Sequence, residues 1–264
     1  MHYLRLDDTH LEVEDAGDLP LGVKPEGHGL VPIDLHSSVH VRPMRYADIP
    51  KVVATNRKAF VHDPLLGYML DTPDAPHSRG SGWVDNVVYA LQYFGHAHAR
   101  KVLVVDVGDA FLYFGLPGNK PTTLETLMLR TISFIRKSRT AEQRKRIAEV
   151  MSKQDAAIKS ALGDKIQRMF AVEGLATHPN KQGRGYGSAL MAAANAKADA
   201  LGVASWLSSS NIANTAFYES CGFAVVKEFA IGEDNPTWTE PPVIVRIMAR
   251  ERMGGTHDAK SEMV

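Results

Sequence analysis

The stretch best equipped for chemistry runs Leu175-Ala176-Thr177-His178-Pro179-Asn180-Lys181-Gln182-Gly183-Arg184-Gly185-Tyr186-Gly187-Ser188. A strand pattern ends there, Pro179 and Asn180 turn the chain, and three glycines lead into a helical pattern. Glycine lets the backbone approach an anion closely and adopt positive φ. Unpaired N–H groups at a helix start point at that anion, and the helix dipole favours its charge. The segment therefore suits a pyrophosphate. Two familiar nucleotide patterns do not fit it. The dinucleotide fingerprint needs glycine where Ser188 stands and an acidic ribose partner that is not evident. The Walker pattern needs Gly-Lys-Ser/Thr, which is absent. A plain glycine-rich turn is the remaining alternative.

Other residues invite a chemical reading. Glu173 is an acid in the otherwise apolar run Phe170-Ala171-Val172-Glu173-Gly174-Leu175. Burial would raise its pKa; an exposed edge position or an arginine pair would not. Asn214 and Tyr218 are four apart on a helical pattern and so share a face. Cys221, the single cysteine, can form neither an internal disulfide nor a cysteine zinc site and falls at a packing position before Gly222-Phe223. His96 and His98 alternate as on one face of a strand, but no third ligand stands at a recognisable spacing, so no metal is expected. His62-Asp63-Pro64 closes the first helical region as a solvated loop.

These residues need a scaffold. A strand is expected over 39–42 and a helix over 48–60, with Pro50 in its first turn, where the missing N–H costs nothing. Trp83, Val87, Val88, Leu91 and Phe94 repeat at helical spacing and stop near Gly95. Residues 101–107 and 110–115 read as a hairpin around Gly108-Asp109. A two-helix insertion follows at about 121–162. Its run Arg136, Lys137, Arg139, Arg144, Lys145, Arg146 reads as a solvated helix face, with Glu142 and Glu149 interleaved and no aromatic stacking partners for nucleic acid. Strand 166–176, helix 187–201 and strand 204–209 form a βαβ unit. A short helix over 213–221, capped by Ser210 or Asn211, precedes strands at 224–231 and 243–248. The fold class is mixed α/β. Residues 1–38 read as a partly disordered extension, 39–252 as the domain and 253–264 as a flexible tail.

Here the sequence resembles the GNAT (GCN5-related) N-acetyltransferase superfamily. Gln182 to Gly187 matches its coenzyme A signature, Gln/Arg-x-x-Gly-x-Gly/Ala. Leu175 to Pro179 resembles its strand end Leu-x-Val-x-Pro, with Thr177 in place of Val. Asn214-Thr215-Ala216-Phe217-Tyr218-Glu219-Ser220-Cys221-Gly222-Phe223 resembles its Asn-x-x-Phe-Tyr-x-x-x-Gly-Phe segment. The likeness spans roughly 40–250 and is nearest to fungal- and plant-type members with a helical insertion before the fourth strand. It implies a central, mostly antiparallel mixed sheet flanked by helices, and acetyl-CoA as co-substrate without metal. It also implies that Leu175, Ala176 and Thr177 pair with the pantetheine arm through their main chain. Gln182, Gly183, Arg184, Gly185, Tyr186, Gly187 and Ser188 would hold the pyrophosphate, Asn214 and Phe217 would contact the coenzyme, and Tyr218 would protonate the leaving thiolate. Glu173 stands where related members carry a glutamate and is the candidate base for the amine.

The remaining composition narrows the partners. The chain has 264 residues, 44% hydrophobic, with 30 basic and 30 acidic side chains. Zero net charge argues against nucleic acid and anionic membranes. No run of about 18 apolar residues exists for a spanning helix, and no secretory signal is evident. The expected acceptor is a small primary amine, with a protein or peptide amine, or a coenzyme-binding module without catalysis, as the alternatives; the expected state is a monomer or homodimer, and the expected compartment the cytoplasm or nucleus.

Overall fold

The computed structural model describes residues 39–75, 83–118 and 139–252, with positions 126, 128, 130, 131 and 133 between the last two segments. The expected extension, the tail and much of the first insertion helix lie outside the described residues.

Seven strands form one sheet in the order β1-β2-β3-β4-β5-β7-β6. They are β1 Val41–Pro43, β2 Val102–Val105, β3 Ala110–Gly115, β4 Phe170–Thr177, β5 Ser205–Ser209, β6 Ala224–Ile231 and β7 Val243–Arg250. Every pairing is antiparallel except β4 with β5. The parallel pair is the expected βαβ unit, closed by the crossover helix between its strands. The described helices are α1 Ile49–Ala59, α2 Pro64–Leu70, α3 Trp83–His98, α4 Ala141–Leu162, α5 Tyr186–Ala200 and α6 Thr215–Ser220.

Alternation along the strands divides the core. Val102, Val104, Phe111 and Tyr113 pack with α1, α2 and α3 on one face. Leu103, Val105, Leu112 and Phe114 pack with Leu190, Met191, Ala194 and Ala198 of α5 on the other. Tyr218 of α6 joins this second cluster.

Three sequence expectations are corrected. His96 and His98 lie at the end of α3 rather than on a strand. Two positions apart on a helix, they point differently: His96 tilts against the Tyr113 ring at 5.1 Å, and His98 Nδ1 meets the Tyr46 hydroxyl at 3.1 Å. The His62-Asp63-Pro64 corner starts a further helix, α2, because Asp63 caps it by accepting from Leu66 N at 2.8 Å and Pro64 occupies its first turn. Asp63 is fully buried, not solvated.

The third correction concerns Arg146, which is 1% exposed and not part of a solvated face. Its Nε donates to Glu142 Oε1 at 3.0 Å. Nη1 donates to the carbonyls of Tyr68 and Asp71, and Nη2 to the carbonyl and hydroxyl of Thr237. The guanidinium lies 5.0 Å from the Tyr68 ring and 5.5 Å from that of Trp238. A buried cation is tolerable only when it is paired and its donors are used, and all five N–H groups are used here. Arg146 thus clasps α4 to α2 and to the β6–β7 loop.

Around this clasp the Tyr68 hydroxyl donates to Glu149 and accepts from Asn235 Nδ2. Burial first, then Glu149, pushes Tyr68 up to about 12. Burial alone would raise Glu149, but the Tyr68 hydroxyl, the Gly232 N–H and Lys153 hold it below the ordinary value.

Candidate functional site

Strand β4 organises the site. Its parallel pairing with β5 runs from Phe170–Ser205 to Val172–Leu207 and stops, while β4 continues to Thr177. Over the same stretch β5 remains paired with β7 as far as Ser209–Arg246. The sheet is therefore split beyond Val172, and the β4 main chain from Glu173 onward faces a gap on that side. An extended ligand arm could add to that strand edge, since main-chain donors and acceptors there need partners.

A bulge accompanies the split. Tyr113 opposes Gly174 and Phe114 opposes Val172, so Glu173 is the extra residue. One extra residue reverses the alternation, and Val172 and Leu175 accordingly pack on the same α5 face. Glu173 is half-buried. Its carboxylate lies over Gly115, where an added β-carbon would come within 2.8 Å of Oε1. Gly115 follows Phe111 and Tyr113 in alternation, so Glu173 faces the α1–α3 side. The Tyr113 ring lies so close over Gly174 that a β-carbon there would meet it at 2.0 Å.

Past Thr177 the chain makes the expected loop. His178 N donates to Asp109 O at 2.8 Å, and His178 Nδ1 accepts from Asn180 N at 3.2 Å. Burial, then Lys58 and Lys51, lowers the His178 pKa. Lys181 and Lys51 both pair with Asp109, at 3.1 and 2.7 Å, and the Tyr186 hydroxyl donates to Asp106 Oδ2 at 3.0 Å. These contacts fasten the loop to the β2–β3 turn. Gly183 and Gly185 have φ of 71° and 73°, and a β-carbon on either would meet nothing within 4 Å. Gly185 caps α5 in the left-handed conformation with no side-chain cap bond. The first-turn N–H groups of α5 are thus left to an incoming anion. Gln182 is half-buried, Arg184 and Ser188 are exposed, and Gly187 is buried.

The residues after β5 fall differently. Asn214 ends a 3-10 turn, Ile212–Asn214, and precedes α6 rather than lying within it; Asn211 caps that turn by accepting from Ala213 N. Asn214 and Tyr218 are both fully buried. Phe217 is half-buried, edge-on to Tyr218 at 5.2 Å between ring centroids. The Tyr218 hydroxyl and Thr177 Oγ1 are buried and have no hydrogen-bond partner among the described residues. Burial holds Tyr218 well above its usual range, so its hydroxyl keeps its proton near neutrality. An orphaned buried donor costs free energy, which a ligand atom at that place would recover. Tyr218 packs on the α5 face and Glu173 on the α1–α3 face, so the pair is divided across the sheet. Cys221 packs against the α5 cluster, and burial pushes its thiol up.

Sequence reasoning missed Asp63 as a buried group. Ser210 Oγ donates to Asp63 Oδ2 at 3.1 Å, tying the start of α2 to the end of β5 beside the split. The signal was present: Asp before Pro and an apolar run is a helix start. The described residues hold no group of three or more His, Cys, Asp or Glu placed for a metal, and no described helix is long and apolar enough to cross a membrane.

The seven-stranded, mostly antiparallel sheet is thus split between its two parallel strands, with the Gln182–Ser188 loop following the longer one. Residues 141–225 match the acetyltransferase (GNAT) domain family. The fold agrees with solved structures at low identity. Arylalkylamine N-acetyltransferase 2 from Aedes aegypti has a TM-score of 0.57 at 16% identity, covering 81% of this chain and 99% of its own. Polyamine N-acetyltransferase from Drosophila melanogaster gives 0.56 at 13%, covering 80% and 99%. A histone acetyltransferase HPA2 and related acetyltransferase from Corynebacterium glutamicum gives 0.52 at 17%, covering 82% and 97%. No curated protein sequence matches the chain. The family match covers about a third of the chain, and the solved structures share its fold.

Proposed function

We propose that this protein transfers the acetyl group of acetyl-CoA to a small primary amine, by direct attack in a ternary complex. The observation that carries this reading is the β4 edge left open beyond Val172 and running into the positive-φ loop at the start of α5. Acetyl-CoA supplies an activated thioester. The main chain of Leu175, Ala176 and Thr177 would pair with its pantetheine arm. The segment from Gln182 to Ser188 would hold its pyrophosphate through backbone N–H groups and the α5 dipole. Asn214 and Phe217 lie beside Tyr218 at the same end of β5.

Glu173 is the group for the amine proton, because the bulge turns its carboxylate toward the α1–α3 face, away from the α5 side. Tyr218 would donate to the departing sulfur from the opposite face, with a proton that burial keeps in place. A small amine fits the comparison in class: solved relatives are named for arylalkylamines and polyamines. The test is acetyl-CoA with a panel of amines, following free thiol release. Calorimetry showing no acetyl-CoA binding to folded protein would reject the coenzyme site, and thiol release indifferent to every amine would reject the transfer.

A further inference from the structure

Between the α1–α2 corner, α3 and the start of the phosphate loop lies a cavity of about 590 Å³. This is within the range of small-molecule sites, roughly 300–1,000 Å³. Phe60, Leu66, Leu70 and Tyr89 give it an apolar wall. It lies on the sheet face toward which Glu173 is turned.

Two features give it a chemical preference. Asn56 lines it and is 6% exposed. Its Oδ1 accepts from the Tyr93 hydroxyl at 2.8 Å, so its Nδ2 is the amide atom left to donate. An amide N–H at a cavity wall can donate to an acceptor of the ligand. Arg57 and Lys58 also line the cavity, while its described lining contains no Asp or Glu. Burial first, then Lys58, lowers the His178 pKa at the same wall, against Asp109, which raises it.

We infer that this cavity is the acceptor pocket, and that it selects an amine with an apolar body and an oxygen acceptor but no second positive charge. The inference rests on the transferase reading above. A second ammonium or guanidinium would lie beside cations with no lining carboxylate to pair with, at a desolvation cost. A carbonyl, hydroxyl or carboxylate oxygen would instead accept from Asn56 Nδ2 or Lys58 Nζ. The body of the amine would rest on Phe60, Leu66, Leu70 and Tyr89.

The test compares kcat/KM for phenylalaninamide, 2-phenylethylamine, agmatine and spermidine at saturating acetyl-CoA, with the acetyl-CoA Kd measured separately by calorimetry. The aromatic amines should exceed the two polycations by at least about tenfold, with phenylalaninamide first. Asn56→Asp keeps an acceptor for Tyr93 while placing an anion in the cavity, and should narrow that ratio by about tenfold or more. Ala54→Trp, on an exposed helix face that lines the cavity, should raise the KM for amines and leave the acetyl-CoA Kd within about threefold. Polycations turned over as well as the aromatic amines would overturn the inference, as would bound acetyl-CoA with turnover of none of the four. If Ala54→Trp weakens acetyl-CoA instead, or neither variant alters acceptor kinetics, the cavity is not the acceptor pocket. Absence of acetyl-CoA binding would bring down the transferase reading as well.

Discussion

The two sides of the β4–β5 split are built by different means. On one side, consecutive residues do the work: β4 runs into the loop, the loop into α5, and β5 into α6, so the Gln182–Ser188 loop and Tyr218 both belong to one stretch of chain. On the other side, the α1–α4 face is assembled from residues far apart in sequence. Arg146 joins α4 to Tyr68 and Thr237, Asp63 joins α2 to Ser210, and Asn56 joins α1 to Tyr93. A binding loop can therefore be specified by a short motif, whereas the wall opposite it depends on long-range polar contacts that have no local pattern.

This contrast can be broken by experiment. The largest effect should come from Glu173→Gln, which keeps the shape and removes the proposed base. The rate should fall about 10²- to 10⁴-fold, with partial recovery at alkaline pH as more amine is already neutral. The check is the pH profile of kcat/KM: an acidic limb that survives unchanged in the variant would assign the proton to water, main chain or the substrate itself.

Next in size is Arg146→Met. Removing one partner of a buried charge network costs about 3–5 kcal/mol. Denaturant unfolding should show that loss, although the hydrogen-bond partners of Arg146 are Glu142, Tyr68, Asp71 and Thr237, none of them in the Gln182–Ser188 loop. Loss of stability below about 1 kcal/mol would mean that the clasp is replaceable by packing. The same network has a pH signature. Hydrogen bonding by Thr237 chiefly holds Glu142 low, and Glu149 is also below the ordinary 4.5. A lowered folded pKa stabilises fully above the unfolded value, and the stabilisation is lost as pH falls through the folded value. Wild-type stability should therefore decline as pH drops below about 4.5, and Arg146→Met should flatten that decline.

A smaller effect is expected on the coenzyme side. Gly185→Asp introduces a side chain at φ 73° and a negative charge where the pyrophosphate is proposed to sit. Acetyl-CoA affinity should fall roughly 10- to 150-fold by calorimetry on folded protein; unchanged affinity would place the phosphates elsewhere. The smallest effect is expected from Tyr218→Phe. It removes one orphaned hydroxyl, so stability should hold or rise slightly and acetyl-CoA affinity should stay within a few-fold, while turnover drops. Unchanged turnover at every pH would leave Tyr218 a packing residue.

What the sequence by itself determined is whatever depends on neighbours along the chain. The strand–loop–helix from β4 to α5, the hairpin at Gly108 and the parallel βαβ unit were legible, because periodicity and glycine placement act over a few residues. The candidate site residues 175–188 and 214–218 came from the resemblance of two short motifs, which is local too, although Asn214 falls before α6 rather than on it. Only the tertiary structure decided that Glu173 is a bulge residue, since a bulge exists relative to the partner strand, here at Tyr113 and Phe114. Only it moved Arg146 from a solvated face to the interior, since a helix pattern cannot show what packs against it. Asp63 and Asn56 look like ordinary helix-end and helix-surface residues in sequence, and they become buried polar groups when α2 and α3 close over them. Their partners, Ser210 and Tyr93, are 147 and 37 positions away. At that separation the energy of a contact is set by which surfaces the fold brings together, and local spacing carries no trace of it.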